Sequence, residues 1–298
     1  MPRPEVTVES HSSTICSASQ SMKISLCITT YNSVMRLQQV FLHLLKLAEF
    51  PTEVLICDDG SGQATRDLVD WFRGRVPVPV HHLWEPDCGW RPSRARNNGI
   101  HHSSGDYLVF LDGDCVPHPL FITDHRRLAS AGAMVLGDRA HVREAALSHF
   151  SGAPCDLMKA LLAGRIHKRS SAVRLFFERP RVLRFEGLSA RQLAHVAIGC
   201  NFSAWRSDLV GVNGFNEEIT GWGLEDVELI ARIMATGVKA LKVKRRAVVY
   251  HLDHGERAYD AEAVLVPVER VFRDALTVTP SGLDRLRKSP SERKSQCL

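Results

Sequence analysis

The sequence predicts an α/β fold in which a mostly parallel sheet is covered by helices on both faces. Three observations support this. Strand-like apolar segments alternate with segments that carry apolar residues at helical spacing. The strand-like segments are rich in apolar residues, and Tyr107 to Leu111 is fully apolar, as in sheets buried on both faces. The chain has 298 residues, 44% of them hydrophobic and 24% charged, which suffices for one large domain with a sizeable core.

The predicted elements begin at Lys23, and strands and helices alternate after that residue. In chain order they are strand Ile24 to Thr30, helix Val34 to Leu47, strand Glu53 to Cys57, a helix through Leu68 to Phe72, strand Val78 to Leu83, helix Arg94 to His102, strand Tyr107 to Leu111, a helix around Phe121 to Ala131, strand Met134 to Leu136, helix Glu225 to Thr236 and strand Ala247 to Tyr250. Residues 1–22 are rich in Ser and Thr and predict a flexible leader. Residues 23–255 form the predicted folded domain, and residues 256–298 form a C-terminal extension with a loose basic end.

Composition narrows the class of protein. No run of about 18 uncharged apolar residues occurs, so no membrane-spanning helix is predicted. The eight cysteines are scattered without a Cys-x-x-Cys pair, which favours reduced thiols over a disulfide framework or a structural zinc site. A cytoplasmic protein is therefore expected.

Positive charge concentrates between Lys159 and Arg191, where nine Lys or Arg residues face only two Glu residues. Apolar residues interleave with these charges, which indicates either contact with an anionic membrane surface at the inner face of the membrane or a solvated helical face whose apolar side lies in the core. No recognised nucleic-acid motif accompanies the charge, so a nucleic-acid partner is not predicted.

Polar residues follow three of the predicted parallel strands at their carboxyl ends, where open α/β sheets bind ligands. They are Thr30, Tyr31 and Asn32, then Asp58 and Asp59, and then Asp112 and Asp114. The sequence therefore predicts one crevice that all three strand ends share.

Asp112, Gly113 and Asp114 indicate a cation site within that crevice. Carboxylates at i and i+2 after a strand can point to the same side, and the intervening glycine lets a ligand approach the backbone closely. Hard oxygen ligands of this kind suit Mg²⁺ or Mn²⁺, which commonly bridge protein to phosphate oxygens.

Five segments in this order carry a family resemblance: SLCITTYN, LICDDGS, RARNNGI, YLVFLDGDC and GFNEEITGWGLEDVEL. Over roughly Lys23 to His254 the chain resembles the large second family of inverting glycosyltransferases with the GT-A fold. The segment from Gly89 to Ile100 and the Gly-Trp-Gly-x-Glu-Asp element are similar to bacterial surface-polysaccharide and lipopolysaccharide enzymes, and to galactosyltransferase and chondroitin-polymerase domains. This resemblance implies a nucleotide-binding half, residues 23–115, and an acceptor half, residues 116–255.

The resemblance also implies roles for the residues of the nucleotide-binding half. Thr30, Tyr31 and Asn32 would pack on the nucleotide, and Asp59 would accept a hydrogen bond from uracil or ribose. Either Arg94 or Arg96 could neutralise the diphosphate or touch the base, and Asn97 would hold the loop. Asp112 and Gly113 would also contact the nucleotide sugar, and Asp112 would face the ribose or a metal-bound water.

For the metal, the resemblance implies that Asp114 binds directly and Asp112 shares the site. A histidine after the last strand would complete it, with His251 preferred over His254. A mixed oxygen and imidazole set favours Mn²⁺ and leaves Mg²⁺ open.

For catalysis, inversion requires the acceptor hydroxyl to attack opposite the leaving diphosphate while a carboxylate takes its proton. Asp226 matches the base and Glu225 would orient the acceptor, although the two roles could be exchanged. Both acids would also suit a helix N-terminus through the helix dipole alone. In the acceptor site, Trp222 and Gly223 would contact a sugar ring and Asn201 would lie at the floor.

The sequence thus predicts a metal-dependent inverting transferase that moves a sugar from a UDP-sugar to a hydroxyl of a glycan or glycolipid, in surface polysaccharide or lipopolysaccharide synthesis. A nucleotidyltransferase is disfavoured because no Gly-rich, Lys-containing loop follows the first strand. The other alternative is a binding protein on a degenerate transferase fold, which the intact acids and His251 disfavour.

Overall fold

The computed structural model describes residues 22–143, 166–167, 179–219, 223–254 and 260–287. Within these ranges the chain forms a large and a small β-sheet with helices packed around them. The predicted leader and the predicted loose basic end fall outside the described residues, as does most of the basic segment.

The large sheet has eight strands in the order β3-β2-β1-β4-β10-β6-β11-β9. Their bounds are β1 Ile24–Thr30, β2 Glu53–Asp58, β3 Val80–Trp84, β4 Tyr107–Asp112, β6 Ala133–Leu136, β9 Arg181–Leu183, β10 Asn201–Trp205 and β11 Lys239–Lys242. The first four strands are mutually parallel, whereas β10 runs antiparallel to both of its neighbours. The predicted mostly parallel α/β sheet is therefore confirmed.

Helices cover both faces of this sheet. They are α1 Val34–Leu44, α2 Gln63–Arg73, α3 Pro92–His102, α4 Phe121–Leu128, α5 Ala190–Val196, α6 Arg206–Gly211, α7 Glu225–Ala235 and α8 Val266–Asp274. One apolar cluster lies between β1, β2 and helices α1 and α2, and a second joins β4 and β10 to α7 and α8. The central strands β1, β2 and β4 are almost wholly buried because both faces are covered.

Helix α3 packs closely on the sheet because it carries a glycine at the contact. A Cβ at Gly99 would lie 2.6 Å from Cys57 Sγ, closer than packed atoms allow. Between Ser93 and Gly99 the helix carries five polar or charged side chains. Those of Arg96, Asn97 and Asn98 are buried. This helix therefore brings buried polar groups to the strand ends.

The small sheet, which the sequence did not predict as a separate layer, has the order β5-β12-β7-β8. Its strands are β5 Cys115–Pro117, β7 Asp138–Val142, β8 Ile166–His167 and β12 Val248–Leu252. Strand β12 pairs antiparallel with β5 and parallel with β7. This pairing places the residue after Asp114 opposite His251, at the end of the nucleotide-binding half.

Part of the predicted C-terminal extension packs on the domain. Val268 and Val271 of α8 are buried in the cluster that contains α7, and the following segment returns to Asn213 through Leu283. Among the described cysteines, four are free buried thiols, whereas Cys88 is disulfide-bonded, so the expectation of reduced cysteines is wrong at Cys88. In the described part of the chain no helix combines the length and apolar character needed to cross a bilayer.

Candidate active site

A cavity of about 1390 Å³ opens where the carboxyl ends of β1, β2 and β4 meet the small sheet and the start of α7. Its walls include most of the polar strand-end residues named from the sequence. Those residues are Thr30, Tyr31, Asn32, Asp59, Asp112, Gly113 and Asp114. The structure therefore gathers the three strand ends in one crevice, together with Gly223, Glu225 and Asp226 from the other half.

The loop after β1 is fixed by reciprocal hydrogen bonds to the loop after β2. Asn32 has a φ of 44°, in the left-handed region that asparagine tolerates. Its backbone N–H donates to Ser61 Oγ at 2.9 Å, and its Oδ1 accepts from the Gly62 N–H at 3.0 Å. The Tyr31 hydroxyl donates to Asp87 across the cavity mouth at 2.8 Å. These hydrogen bonds fix the position of the loop after β1 relative to the loop after β2.

Asp59 presents a buried carboxylate to the cavity. One oxygen accepts from the Arg91 backbone N–H at 2.6 Å, whereas Oδ1 is buried and makes no hydrogen bond. Burial raises the pKa of Asp59 to about 6, against the effect of the Arg91 N–H and guanidinium. An acceptor oxygen is thus left for a donor that enters the cavity.

Arg96 joins the two halves of the site. Its guanidinium donates to Asp112 at 3.0 Å and to Glu225 at 2.7 Å, and the residue is 5% exposed. Burial alone would lower the pKa of Arg96, but the surrounding carboxylates Asp112, Glu225 and Asp226 raise it, so it stays a cation. For Asp112, burial raises the pKa in spite of Arg96.

Asp226 stands at the first turn of α7, after a sharp change of chain direction. Gly223 and Leu224 have φ of 124° and 62°, and the first of these strongly favours glycine. Burial, then the neighbouring Glu225, raises the pKa of Asp226 to about 6, against the opposing charge of Arg96. The side chain lies directly on Gly199, where a Cβ would come within 1.7 Å of Asp226 Oδ2. Gly199 therefore leaves the space that the carboxylate occupies.

Asp114 lies between two histidines of the segment that ends β12. Its Oδ2 is 3.6 Å from His251 Nε2 and 3.2 Å from His254 Nε2. Burial alone would raise the pKa of Asp114, but the hydrogen bond from His254 and the charge of both histidines lower it. Ligand atoms of these three residues lie within 4.8 Å of one another, and a carboxylate with two imidazoles suits Mn²⁺. The residues thus fit a divalent cation, and the geometry places His254, the less favoured of the two predicted histidines, beside the predicted ligands Asp114 and His251.

Asp112 lines the same cavity as Asp114 but makes different contacts, and its predicted share in the metal site stays a prediction. It accepts from Arg96, and it does not belong to the cation-binding group of Asp114, His251 and His254. The adjacent Gly113 lines the cavity, as its predicted contact with a ligand requires, and it also packs on β1. A Cβ there would lie 3.0 Å from the Thr29 carbonyl oxygen, so the glycine permits the close contact with β1.

Arg139 is a cavity cation that the sequence analysis missed. It belongs to β7 and lines the cavity near Asp112, where its Nη1 lies 3.8 Å from Cys200 Sγ. Burial would lower the pKa of Arg139, whereas the nearby thiols and Asp112 raise it. Strand β7, with sequence DRAHV, alternates buried and half-buried residues, and this alternation is the signal that could have placed Arg139 on the cavity side.

Three predicted site residues lie outside the cavity wall. Arg94 donates to Glu85 at 2.6 Å, and Asn97 ties α3 to the backbone of Phe215 in both directions. Asn201 is fully buried and donates to the carbonyls of Asp138 and Ala247. These two asparagines hold elements together and do not face the cavity. Trp222 falls outside the described residues.

Comparison with known proteins indicates which class of enzyme the chain resembles. Residues 25–150 match the model of glycosyl transferase family 2, and residues 180–255 match the model described as the N-terminal domain of galactosyltransferase. The second match contains Gly223, Glu225, Asp226 and the histidines after β12.

Curated relatives are also glycosyltransferases. Validoxylamine A glucosyltransferase of Streptomyces hygroscopicus subsp. limoneus is 26% identical over 285 residues, which is 86% of this chain and 58% of the relative. Hyaluronan synthase of Pasteurella multocida is 23% identical over 292 residues, 90% of this chain and 29% of the relative. The chain thus spans less than two thirds of the length of either relative.

Solved structures share the fold. Residues 1–349 of Staphylococcus aureus TarS in complex with UDP-GlcNAc align with a TM-score of 0.60 and 18% identity, over 89% of this chain and 69% of that one. The mannosyltransferase PcManGT of Pyrobaculum calidifontis, in complex with GDP-Man and Mn²⁺, aligns with a TM-score of 0.55 and 17% identity, over 93% and 68% of the two chains.

The chain therefore has the GT-A fold, and the proteins it resembles along its length are glycosyltransferases. Residues 25–150 are similar to glycosyl transferase family 2, and residues 180–255 are similar to the N-terminal domain of galactosyltransferase.

Proposed function

We propose that the protein transfers a sugar from a UDP-sugar to an acceptor hydroxyl with inversion of the anomeric carbon, and that it requires a divalent cation. The observation that supports this most strongly is the arrangement of two acidic sites in one cavity. Asp114 lies among histidines at one wall, and Asp226 lies at the start of α7 with no histidine ligand cluster. One site can bind a cation, and the other can receive a proton.

The uridine would bind at the ends of β1 and β2. Asp59 Oδ1, buried and without a hydrogen bond, can accept from the uracil imide N–H, a donor that cytosine lacks. Because its pKa is about 6, Asp59 is largely ionised at pH 7 and accepts more strongly than an amide would. Both UDP and GDP sugars occur in solved structures of this fold. The Asp59 carboxylate favours uracil over cytosine, whereas guanine also carries an N–H from which it could accept, so the preference for UDP over GDP stays a prediction that the donor screen tests.

The diphosphate would lie between Arg139 and the group formed by Asp114, His251 and His254. A divalent cation bound there would stabilise the negative charge that grows on the leaving phosphate. Arg139 can donate to phosphate oxygens, since its Nη1 contacts the weak thiol acceptor of Cys200. Arg96 is held by Asp112 and Glu225, so we assign it to the support of those acids.

Asp226 would act as the base. The acceptor oxygen forms a bond to the anomeric carbon as the bond from that carbon to the diphosphate oxygen breaks, and the hydroxyl proton passes to the Asp226 carboxylate. Glu225 accepts a hydrogen bond from Arg96, which engages one of its carboxylate oxygens. Asp226 makes no hydrogen bond to Arg96, and its Oδ1 accepts from the Val227 backbone N–H. This difference favours Asp226 as the base and Glu225 as the residue that orients the acceptor. The acceptor contacts of Trp222 and Gly223 stay predictions.

The test is a screen of purified protein against UDP-glucose, UDP-galactose, their N-acetyl forms and UDP-glucuronate, with GDP-mannose as the nucleotide control. UDP release should require Mn²⁺ and an added acceptor, and Asp59→Asn should raise KM for the UDP-sugar more than it lowers kcat. Turnover of GDP-mannose at the rate of the best UDP-sugar, or full activity in excess EDTA, would contradict the proposal.

The acceptor is proposed as a glycan or glycolipid of the surface-polysaccharide or lipopolysaccharide type. Similarity to hyaluronan synthase is consistent with a sugar acceptor, whereas similarity to validoxylamine A glucosyltransferase is equally consistent with a smaller polyhydroxylated one. Acceptor panels that contain both classes, analysed by mass spectrometry of the product, decide between them.

Peripheral contact with the inner face of the membrane through residues 159–191 stays a prediction, as does the cytoplasmic location. In the described part of that segment Arg179, Arg181 and Arg184 are exposed, whereas Arg191 pairs with Glu262. Anionic liposomes should sediment the protein at low salt. Salt on the order of 0.5 M should release it, because screening weakens interactions between exposed charges beyond roughly 10 Å or less. A protein that stays in the supernatant at low salt contradicts the prediction.

A further inference from the structure

The small sheet places a second histidine, His141, and a second carboxylate, Asp253, beside His251. Strands β7 and β12 are parallel, and their register pairs His141 with His251. The two rings therefore lie side by side, with centroids 5.1 Å apart. Asp253 follows β12, and its backbone N–H donates to the Val142 carbonyl of β7 at 2.8 Å. Sheet pairing thus fixes all three residues relative to one another.

The two ring nitrogens of His251 face different carboxylates. Nε2 lies 3.6 Å from Asp114 Oδ2, whereas Nδ1 lies 3.5 Å from Asp253 Oδ1. Nδ1 is buried and makes no hydrogen bond. Asp253 Oδ1 in turn lies 2.7 Å from His141 Nδ1, which holds the carboxylate on the side of His251.

A neutral imidazole carries one N–H, and the nitrogen that binds a metal must be the other one. Histidine ligands usually donate their second N–H to a carboxylate or carbonyl, which orients the ring and selects the tautomer. Asp253 stands where that acceptor is needed, because a shift of a few tenths of an ångström would bring Nδ1 within hydrogen-bond distance. The Nε2 lone pair would then point to the Asp114 side.

We propose that Asp253, held by His141, is a positioning residue that orients His251 for cation binding at Asp114 and His254. This inference rests on the proposed cation site of the transferase. Asp253 and His141 also line the cavity. In this proposal Asp253 acts through the imidazole of His251 and not on the reacting atoms. The same three residues His141, His251 and Asp253 also have ligand atoms within 4.8 Å of one another, so a cation bound directly by them is the competing interpretation.

The experiment measures Mn²⁺ binding to the full chain, without donor or acceptor, by electron paramagnetic resonance of free Mn²⁺. The variants are Asp253→Asn, Asp253→Ala and His141→Gln. The matched control is His81→Gln, because His81 Nε2 also lies 3.5 Å from a carboxylate, that of Glu53, away from the cavity. Thermal unfolding of each variant identifies any that does not fold, and Asp253→Asn preserves side-chain volume for that case.

We expect wild type to bind one Mn²⁺. Loss of an outer-shell carboxylate costs roughly 10–100-fold in metal affinity, so Asp253→Ala should raise Kd by that factor, with Asp253→Asn and His141→Gln lower in the range. His81→Gln should bind as wild type does. In turnover assays the Mn²⁺ concentration for half-maximal rate should rise in Asp253→Asn while the rate at saturating Mn²⁺ is largely recovered.

Two results would overturn the inference while leaving the proposed function intact. One is wild-type Mn²⁺ affinity in both Asp253 variants. The other is a stoichiometry of two in wild type, with only the second ion lost in the variants, which would make Asp253 a ligand of its own. A wild-type protein that binds no Mn²⁺ defeats both the inference and the metal-dependent part of the proposed function.

Discussion

Asp114 and Asp226 line the same cavity, yet their surroundings move their pKa values in opposite directions. Burial would raise the pKa of both carboxyls, but the His254 hydrogen bond and the histidine charges lower that of Asp114. At Asp226, burial and the adjacent Glu225 prevail over Arg96 and raise the pKa to about 6. Pairs of acids separated in this way mark distinct chemical roles. Under the proposed function, this difference suits Asp114 to cation binding and Asp226 to proton acceptance.

The largest expected effect is the loss of the base. Asp226→Asn should lower kcat by about 10²–10⁴-fold, the usual contribution of a positioned general base, because an amide cannot take the hydroxyl proton. Mn²⁺ affinity should stay near that of wild type, since Asp226 is not part of the cation-binding group. Initial rates of UDP release, together with Mn²⁺ titration, measure both. A comparable loss in Glu225→Gln with activity retained in Asp226→Asn would reverse the assignment of the two acids.

Loss of the metal-side carboxylate should have the converse effect. Asp114→Asn should weaken Mn²⁺ binding by more than the roughly 10–100-fold expected when only an outer-shell partner is lost. The histidines His251 and His254 remain, so very high Mn²⁺ should restore part of the rate. Isothermal titration with Mn²⁺ checks the first statement. Unaltered affinity would remove Asp114 from the cation site.

A backbone position tests whether the location of Asp226 matters as well as its chemistry. Gly199→Ala places a Cβ where Asp226 Oδ2 lies and should displace the carboxylate. A displacement of about 1 Å can cost on the order of 10²-fold in rate. Gly211→Ala is the matched control, because a Cβ there meets nothing within 4 Å. Equal kcat values for the two variants would show that Asp226 does not need its present position.

The smallest expected effect is the acidic limb of the pH profile. The base must be ionised, and its pKa is raised to about 6, so kcat/KM should fall about tenfold per unit as pH drops below about 6. Removing the opposing Arg96 charge in Arg96→Met should move this limb to higher pH, as long as the variant still folds. The profile is recorded at saturating Mn²⁺. A rate that stays level down to pH 5 would exclude a base of this pKa.

The nucleotide-binding half could be predicted because its signals are local. The apolar runs at Ile24–Thr30 and Tyr107–Asp112 are strands, and polar residues at the carboxyl ends of parallel strands meet at one edge. The small sheet was missed for physical reasons. Strand β5 has only three residues, and β7 reads DRAHV, with little apolar character. Its contacts join residues more than a hundred positions apart, such as His141 and Asp253.

The two arginines of α3 show a different limit. Arg94 and Arg96 had the same predicted role, but residues two apart on a helix lie about 200° apart around its axis, so both cannot face one cavity. The structure turns Arg96 to Asp112 and Glu225 and Arg94 to Glu85. Helical phase would have excluded one of them, although tertiary packing was needed to decide which. The preference for His251 over His254 is another such case, because both lie beside Asp114.

The central claim is that two acids of one cavity do separate work, and a Mn²⁺ titration of UDP release with Asp114→Asn and Asp226→Asn side by side tests it most directly. We predict that rising Mn²⁺ progressively restores turnover in Asp114→Asn and never in Asp226→Asn, which binds the ion yet stays inactive. Restoration of Asp226→Asn by Mn²⁺, or the same metal response in both variants, would contradict the division of roles.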